Sequence, residues 1–285
     1  MVTVRSDVSL PLSAGIGLRA PHEEAVLAGS PRLGWVEVHS ENFFQAGGPA
    51  LSRLEAVRSR YPVSLHGVGM SLGGDALDEG HLRRLAALAA RIEPAAISEH
   101  LCWSAIGGRW LNDLLPLPYT REALARVCDH VDAVQLALGR RLLVENVSSY
   151  LRFLPEDWPE WEFVAEVTRR TGCLLLLDIN NVYVSAVNHG YDALDYLAAM
   201  PGEAVAEIHL AGYEEVDGFL IDTHSRPVSE PVWRLYREAL ARFGPQPTLI
   251  EWDQDLPPLA TLQQEAARAD ALLRDGKEVR HAFVA

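Results

Sequence analysis

Eight residues at or just beyond the ends of apolar runs are all of types that bind metal ions: His66, His100, Glu145, Asp178, His209, Asp222, His224 and Glu251. They read as Val-Ser-Leu-His66, Ala-Ile-Ser-Glu99-His100, Leu-Leu-Val-Glu145-Asn146, Leu-Leu-Leu-Leu-Asp178, Ala-Glu-Ile-His209 and Thr-Leu-Ile-Glu251. Ile-Asp222-Thr-His224 follows the His209 run, and another run carries Glu37, His39 and Glu41 at alternating positions. A buried carboxylate without a partner costs several kcal/mol or gives up its charge. One histidine or acid at the end of a run is ordinarily a hydrogen-bonded core residue or half of an ion pair. Six successive runs ending this way go beyond that. Lysine and arginine are nearly absent from these tips, so four acids and four imidazoles gathered together need cations from elsewhere, and metal ions supply them.

One ion takes four to six ligands. Eight therefore suit two or three ions, with a carboxylate such as Glu145 bridging. In Asp222-Thr-His224 the two side chains share one face of an extended chain, so both reach the same ion. Nitrogen and oxygen donors without thiolate suit iron, manganese or zinc, and no spacing chooses among them. Cys102, Cys128 and Cys173 form no CxxC pair and read as structural thiols, which predicts a reducing cytoplasm. His22, His81, His130 and His281 are expected at the surface.

The elements that must position these residues follow from an alternation along the chain. Short apolar runs predict strands at Gly15–Arg19, Trp35–Glu41, Val63–Met70, Ala96–Trp103, Arg141–Val147, Cys173–Asn181, Val205–Tyr213 and Thr248–Asp253. Helical spacing predicts helices at His81–Arg91, Thr120–Leu138, Pro159–Thr171, Pro231–Phe243 and Pro258–Arg274. Thr120 is placed to cap its helix, and Gly139, Gly172 and Gly244 stand where helices stop. Trp103 and Trp110 flank Gly107-Gly108, the signature of a hairpin or lid. Strands alternating with helices mean parallel pairing, and eight units favour one closed (β/α)8 TIM-barrel domain spanning the 285 residues. In such a barrel the C-terminal strand ends meet on one face, where active sites form.

Composition removes other classes. With 25 basic against 39 acidic residues the net charge is −14, which speaks against nonspecific nucleic-acid binding. No apolar stretch approaches the roughly 20 residues of a membrane span, and the N-terminus does not read as a signal peptide. No GxGxxG follows the first strand, so a dinucleotide fold is not expected.

At these same residues the chain resembles the multinuclear non-heme iron-dependent oxidases, a family that includes the catalytic subunit of methanobactin biosynthesis. The resemblance is carried by Gly15-Ile-Gly-Leu-Arg19, Glu37-Val-His-Ser-Glu-Asn42, Leu65-His-Gly-Val-Gly69, Ser98-Glu-His-Leu101, Leu143-Val-Glu-Asn146, Leu177-Asp-Ile-Asn-Asn181, Glu207-Ile-His-Leu-Ala-Gly212, Ile221-Asp-Thr-His224 and Ile250-Glu-Trp-Asp253. It implies a xylose-isomerase-like barrel holding two or three irons. It also implies use of O2 to oxidise a ribosomally made precursor peptide, often at cysteine, with a partner protein presenting the leader. The eight residues match the family's metal-binding positions, with Glu145, Asp222 and His224 at the catalytic core. Asn181 falls where a further ligand is expected, and His39, Glu99, Asn146 and His189 are candidates for the surrounding shell or for facing substrate. The chain also resembles the trinuclear zinc endonuclease that cuts at abasic sites. There a histidine ligand lies three residues after the strand-six aspartate. Asn181 in its place weakens that alternative, a divalent-metal hydrolase, and a non-catalytic metal- or peptide-binding barrel is the third class. A related sugar isomerase would place a lysine in the metal cluster, which this chain lacks.

Overall fold

The computed structural model describes residues 9–29, 31–107 and 109–284, with the side chains of 112 and 276–284 outside it. In chain order the elements are β1 (Ala14–Gly17), α1 (Ala20–Gly29), β2 (Val36–His39), α2 (Pro49–Arg58), β3 (Val63–Gly67), α3 (Glu79–Ile92) and β4 (Ala96–His100). Next come β5 (Trp103–Ile106), β6 (Arg109–Leu115), α4 (Arg121–Leu138), β7 (Leu143–Glu145), α5 (Glu160–Thr171), β8 (Leu174–Asp178), α6 (Ile179–His189) and α7 (Ala193–Ala199). The chain ends with β9 (Val205–Leu210), β10 (Glu214–Val216), β11 (Phe219–Ile221), α8 (Glu230–Phe243), β12 (Thr248–Ile250) and α9 (Leu259–Val284).

β1, β2, β3, β4, β7, β8, β9 and β12 close into a barrel, each parallel to its neighbours. The expected (β/α)8 architecture is therefore present. Alternation along each strand sorts its side chains into two populations. Outward residues such as Val144, Leu175, Leu177 and Ile208 join the large core shared with the helices. Inward residues Ala96, Leu143, Leu174 and Leu176 form a separate cluster with Leu10 and Ala206 packed against it. The polar strand tips begin above it, at Glu145 and Asp178. The barrel is thus dry at one end and polar at the other.

Where β1 passes Trp35 there is room only for hydrogen. A Cβ built on Gly15 would lie 2.5 Å from the Trp35 ring, and that indole is fully buried with Nε1 donating to the Ser13 carbonyl at 3.0 Å. Gly15→Ala is expected to destabilise the fold by about 1–3 kcal/mol, the usual cost of overpacking, read as a lower midpoint in denaturant without a change in slope.

The helix signals hold at their stops. Thr120 accepts from the Ala123 amide at 3.3 Å, and Gly139 and Gly172 end their helices at φ 64° and 67°. Several expectations are corrected. The run Ala96–Trp103 is not one strand; β4 ends at His100, and Trp103 opens a hairpin, β5–β6, that returns Leu114 to the barrel mouth. The run Cys173–Asn181 stops as a strand at Asp178. The Asp178 carboxylate accepts from the Asn181 amide at 2.6 Å and so caps α6, which leaves Asn180 and Asn181 on a first helical turn. Of the histidines expected at the surface, His22 and His81 are buried and His130 is half-buried. His22 Nε2 bonds the Pro257 carbonyl, His81 faces Glu41 at 3.3 Å beneath the Trp110 ring, and His130 bonds the Leu72 carbonyl. The His281 side chain lies outside the described residues. Among those residues no helix is long and apolar enough to cross a membrane.

Candidate metal centre

Most of the barrel strands end by delivering a side chain into the mouth. His66 and His100, from β3 and β4, are buried, with ring centroids 4.5 Å apart and planes tilted by 58°. Both place Nε2 at 3.2 Å from Glu145 Oε2, which β7 supplies. Their other nitrogens are fixed from behind: His66 Nδ1 meets the Ser98 hydroxyl at 2.7 Å, and His100 Nδ1 donates to the Gly67 carbonyl at 2.9 Å. Across the barrel His209 Nδ1 lies 3.0 Å from Glu251 Oε2 and 3.7 Å from Glu145 Oε1. Among the sets of donor atoms that fall within 4.8 Å of one another are His66 with His100 and Glu145, and Glu145 with Asp178, His209 and Glu251. Glu145 belongs to both.

Asp222 and His224 complete the network at the rim. His224 Nε2 is 2.7 Å from Asp222 Oδ1, and its Nδ1 is 3.5 Å from Glu251 Oε2 and 3.2 Å from Asp253. They do not meet as neighbours on a strand face, as the spacing suggests. They lie past the end of β11, and His224 takes a left-handed φ of 47°, a conformation that costs about 1–3 kcal/mol and turns the imidazole back into the mouth. All eight side chains picked from the sequence thus lie around one cleft of 170 Å³ or directly beneath it.

Charge is badly matched here without a cation. Burial pushes the Glu145 carboxyl well above the carboxylate range and Asp178 up to about 7. Burial also opposes charge on His100, but Glu145 and Glu99 beside it prevail and raise it to about 10. Burial and the neighbouring His100 hold His66 well below its ordinary value. Protons thus take up places that cations could fill. Glu145 Oε2, Asp178 Oδ2 and Asn181 Oδ1 are buried acceptors with no hydrogen-bond donor, and unsatisfied buried acceptors each cost about 1–3 kcal/mol. Metal ions would satisfy all three, and the donor set of imidazoles, carboxylates and an amide oxygen fits iron, manganese or zinc. Cys102 is fully buried with its thiol pushed up by burial, so it adds no thiolate.

The residues expected around the ligands divide. Asn146 ties two strand ends together, accepting from the Asp178 amide at 2.9 Å and donating to the Asp178 carbonyl at 3.0 Å. Its carbonyl accepts from the Asn181 side chain at 3.1 Å. Glu99 accepts from the His100 and Met70 amides, which fixes the loop after β3. His39 lines the cleft 3.0 Å from the Arg19 guanidinium. His189 is not at the mouth. It ends α6 beside Ser149, in a separate cavity lined by Tyr119, Glu160 and Trp161, because Asp178 begins a helix that carries it away.

One functional residue escaped the sequence reading, which found the tips poor in cations. Arg19, just past β1, is buried and reaches Asp253 Oδ1 through Nε at 2.7 Å and Glu251 Oε1 through Nη2 at 3.4 Å. It holds one oxygen of Glu251 while the other faces His209. The available signal was its place in Gly15-Ile-Gly-Leu-Arg19 at the end of an apolar run.

Comparison with known proteins places this arrangement. A UPF0276 protein of Chromobacterium violaceum is 55% identical over 271 residues, 95% of this chain and 98% of that protein. One from Acaryochloris marina is 52% identical over 261 residues, 91% of this chain and 94% of the other. Among solved structures, endonuclease IV from Thermus thermophilus superposes with a TM-score of 0.58 at 20% identity, covering 93% of this chain and 99% of that one. D-Psicose 3-epimerase from Clostridium cellulolyticum superposes with a TM-score of 0.61 at 11% identity, covering 92% and 98%. At such identities these two structures speak for a xylose-isomerase-like barrel and for nothing finer. The family described as "RiPP precursor modification enzyme MbnB/TglH/ChrH", which acts on precursors of ribosomally made and then modified peptides, matches residues 13–274. With that match across the barrel and relatives identical at more than half their positions, the chain belongs to the MbnB/TglH/ChrH family of RiPP precursor modification enzymes.

Proposed function

We propose that this chain is a multinuclear non-heme iron oxidase that uses O2 to modify residues, cysteine foremost, of a ribosomally made precursor peptide. In this reading a second protein presents the peptide's leader, and the reaction runs in a reducing cytoplasm. The observation that supports the proposal is that Glu145 belongs to two donor sets, each of a size to hold one ion. His66, His100 and Glu145 would hold one ion, and Glu145, Asp178, His209 and Glu251 the other. Asp222, His224 and the Asn181 oxygen would hold a third ion or the entering side chain. When bound, iron supplies the redox capacity for O2-dependent oxidation that no side chain here possesses.

The chain's own residues do the rest. Arg19 and Asp253 fix Glu251, Ser98 and the Gly67 carbonyl fix the imidazoles of His66 and His100, and Asn146 locks β7 to the start of α6. Leu114 of the hairpin and Val147 give the cleft apolar walls, which limit water around a substrate. Asp222 and His224 flank the opening, each 13% exposed, within reach of a side chain entering from solvent.

The test is anaerobic purification, elemental analysis, and O2 uptake with any short cysteine-bearing peptide found encoded near the gene. Iron at roughly two or three ions per chain, O2 consumption that depends on the peptide, and a mass change in the peptide are expected. Zinc together with phosphodiester cleavage would replace this reading with the hydrolase. Bound metal without O2 uptake, in the presence of both peptide and partner, would leave a binding protein.

A further inference from the structure

His209 differs from the other imidazoles in what stands behind it. His66 and His100 are backed by a hydroxyl and a carbonyl and turn Nε2 toward Glu145. His209 is reversed. Its Nδ1 faces Glu251 and Glu145, and its Nε2 points down the barrel to Glu207 Oε1 at 3.4 Å and Glu37 Oε1 at 3.5 Å. Both acids are fully buried. Ser64 donates to Glu37 Oε2 at 3.0 Å, but Glu37 Oε1, both Glu207 oxygens and His209 Nε2 have no partner of good hydrogen-bond geometry. Two acids with loosely satisfied oxygens, facing one ring nitrogen beneath the mouth, are a costly arrangement for a barrel core. Leu174 and Leu176 fill the neighbouring strand's interior without it.

We propose, resting on the reading of His209 as a metal ligand, that Glu37 and Glu207 are positioning residues that take the His209 Nε2–H between them and fix Nδ1 as the metal-binding atom. One carboxylate would set the tautomer. A second makes the ring a stronger donor, because negative charge behind an imidazole raises its basicity toward the metal. The effect is local to the position formed by Glu145, Asp178, His209 and Glu251. Behind His66 stands only a hydroxyl, and behind His100 the Gly67 carbonyl with one carboxylate, Glu99, farther off at 3.8 Å, so the two ions are held unequally and the His209 ion is the tighter.

Co2+ titrated into the metal-free full-length protein tests this, with bound ion counted and its visible spectrum recorded. Glu207→Gln and Glu37→Gln preserve shape and remove charge. Each is expected to weaken one ion by about 10- to 100-fold, alter that ion's spectrum and spare the other. The metal-free unfolding midpoint should hold or rise, since each variant replaces a buried acid that carries an unsatisfied oxygen. A lower metal-free midpoint with no selective loss of an ion marks a structural role and overturns the proposal, as do wild-type titrations in both variants. If the variants do not fold, 15N spectra of histidine in the Zn2+-loaded wild-type protein decide: Nε2 protonated and Nδ1 metal-bound supports the proposal, and the reverse overturns it. Wild-type protein that takes up no ion refutes the metal reading along with this one, whereas normal uptake with unaffected variants refutes this one alone.

Discussion

If Glu145 is shared between two ions, Glu145→Gln should yield a folded barrel that has lost at least one metal ion and about 10²–10³-fold of its activity, the scale of losing one preorganised electrostatic group from an active site. The substitution keeps the volume at the end of β7, so packing around Val144 and Asn146 is undisturbed. It exchanges Oε2, 3.2 Å from both His66 and His100, for an amide. In one orientation its NH2 faces the imidazoles and cannot ligate; in the other it faces His209, 3.7 Å from the native Oε1. Either way one donor set of the pair is broken. The comparison variant is His189→Ala. That ring lines a different cavity, so metal content should match wild type. Elemental analysis and peptide turnover read both variants, and full metal with full turnover in Glu145→Gln would remove Glu145 from the site.

The contrast between Glu145 and His189 shows what was legible in the chain. Glu145 is visible because Leu-Leu-Val-Glu-Asn is short, apolar and stops in polar residues, and a parallel barrel converts such stops into one location. The same logic reads His66, His100, Asp178, His209 and Glu251, all delivered by strand alternation. It fails at Asp178 in a specific way. Nothing in Asp-Ile-Asn-Asn separates a strand end from a helix start, since Asp178 serves as both, and the error passes through Asn181 to His189 two turns later. Arg19 was missed because its ion pair with Asp253 joins the segments that follow β1 and β12, 234 positions apart in sequence, a contact no local pattern contains. The burial of His22 and His81 has a similar origin: each ring meets a group from another loop, and helical spacing says nothing about those loops. Asp222 and His224 do come together, at 2.7 Å, but not through the strand geometry that their spacing suggests.

Removing metal should lower Tm by on the order of 10 °C and change how stability responds to pH. A ligand at a thousandfold its Kd that binds only the folded state adds about 4 kcal/mol, and for a domain somewhat smaller than this one 1 kcal/mol moves Tm by about 2–4 °C. The pH dependence follows from the groups that carry protons when no metal is present. His100 is raised to about 10 against an unfolded value near 6.5. Its contribution to the metal-free protein is complete below about pH 6.5 and is lost as pH climbs toward 10. Asp178, raised to about 7, acts in the same direction, since there too the folded state binds the extra proton; its share is lost between about pH 4 and 7. Chelated protein should therefore lose stability steadily from about pH 7 to 9.5. Metal-loaded protein should not, because the ions occupy the places of those protons, and metal affinity itself rises as protons cease to compete. Scanning calorimetry of the two forms at matched pH values reads the difference. Parallel pH curves and a common Tm would mean that protons alone hold these acids and imidazoles together, and the metal centre with its two donor sets would have to be given up.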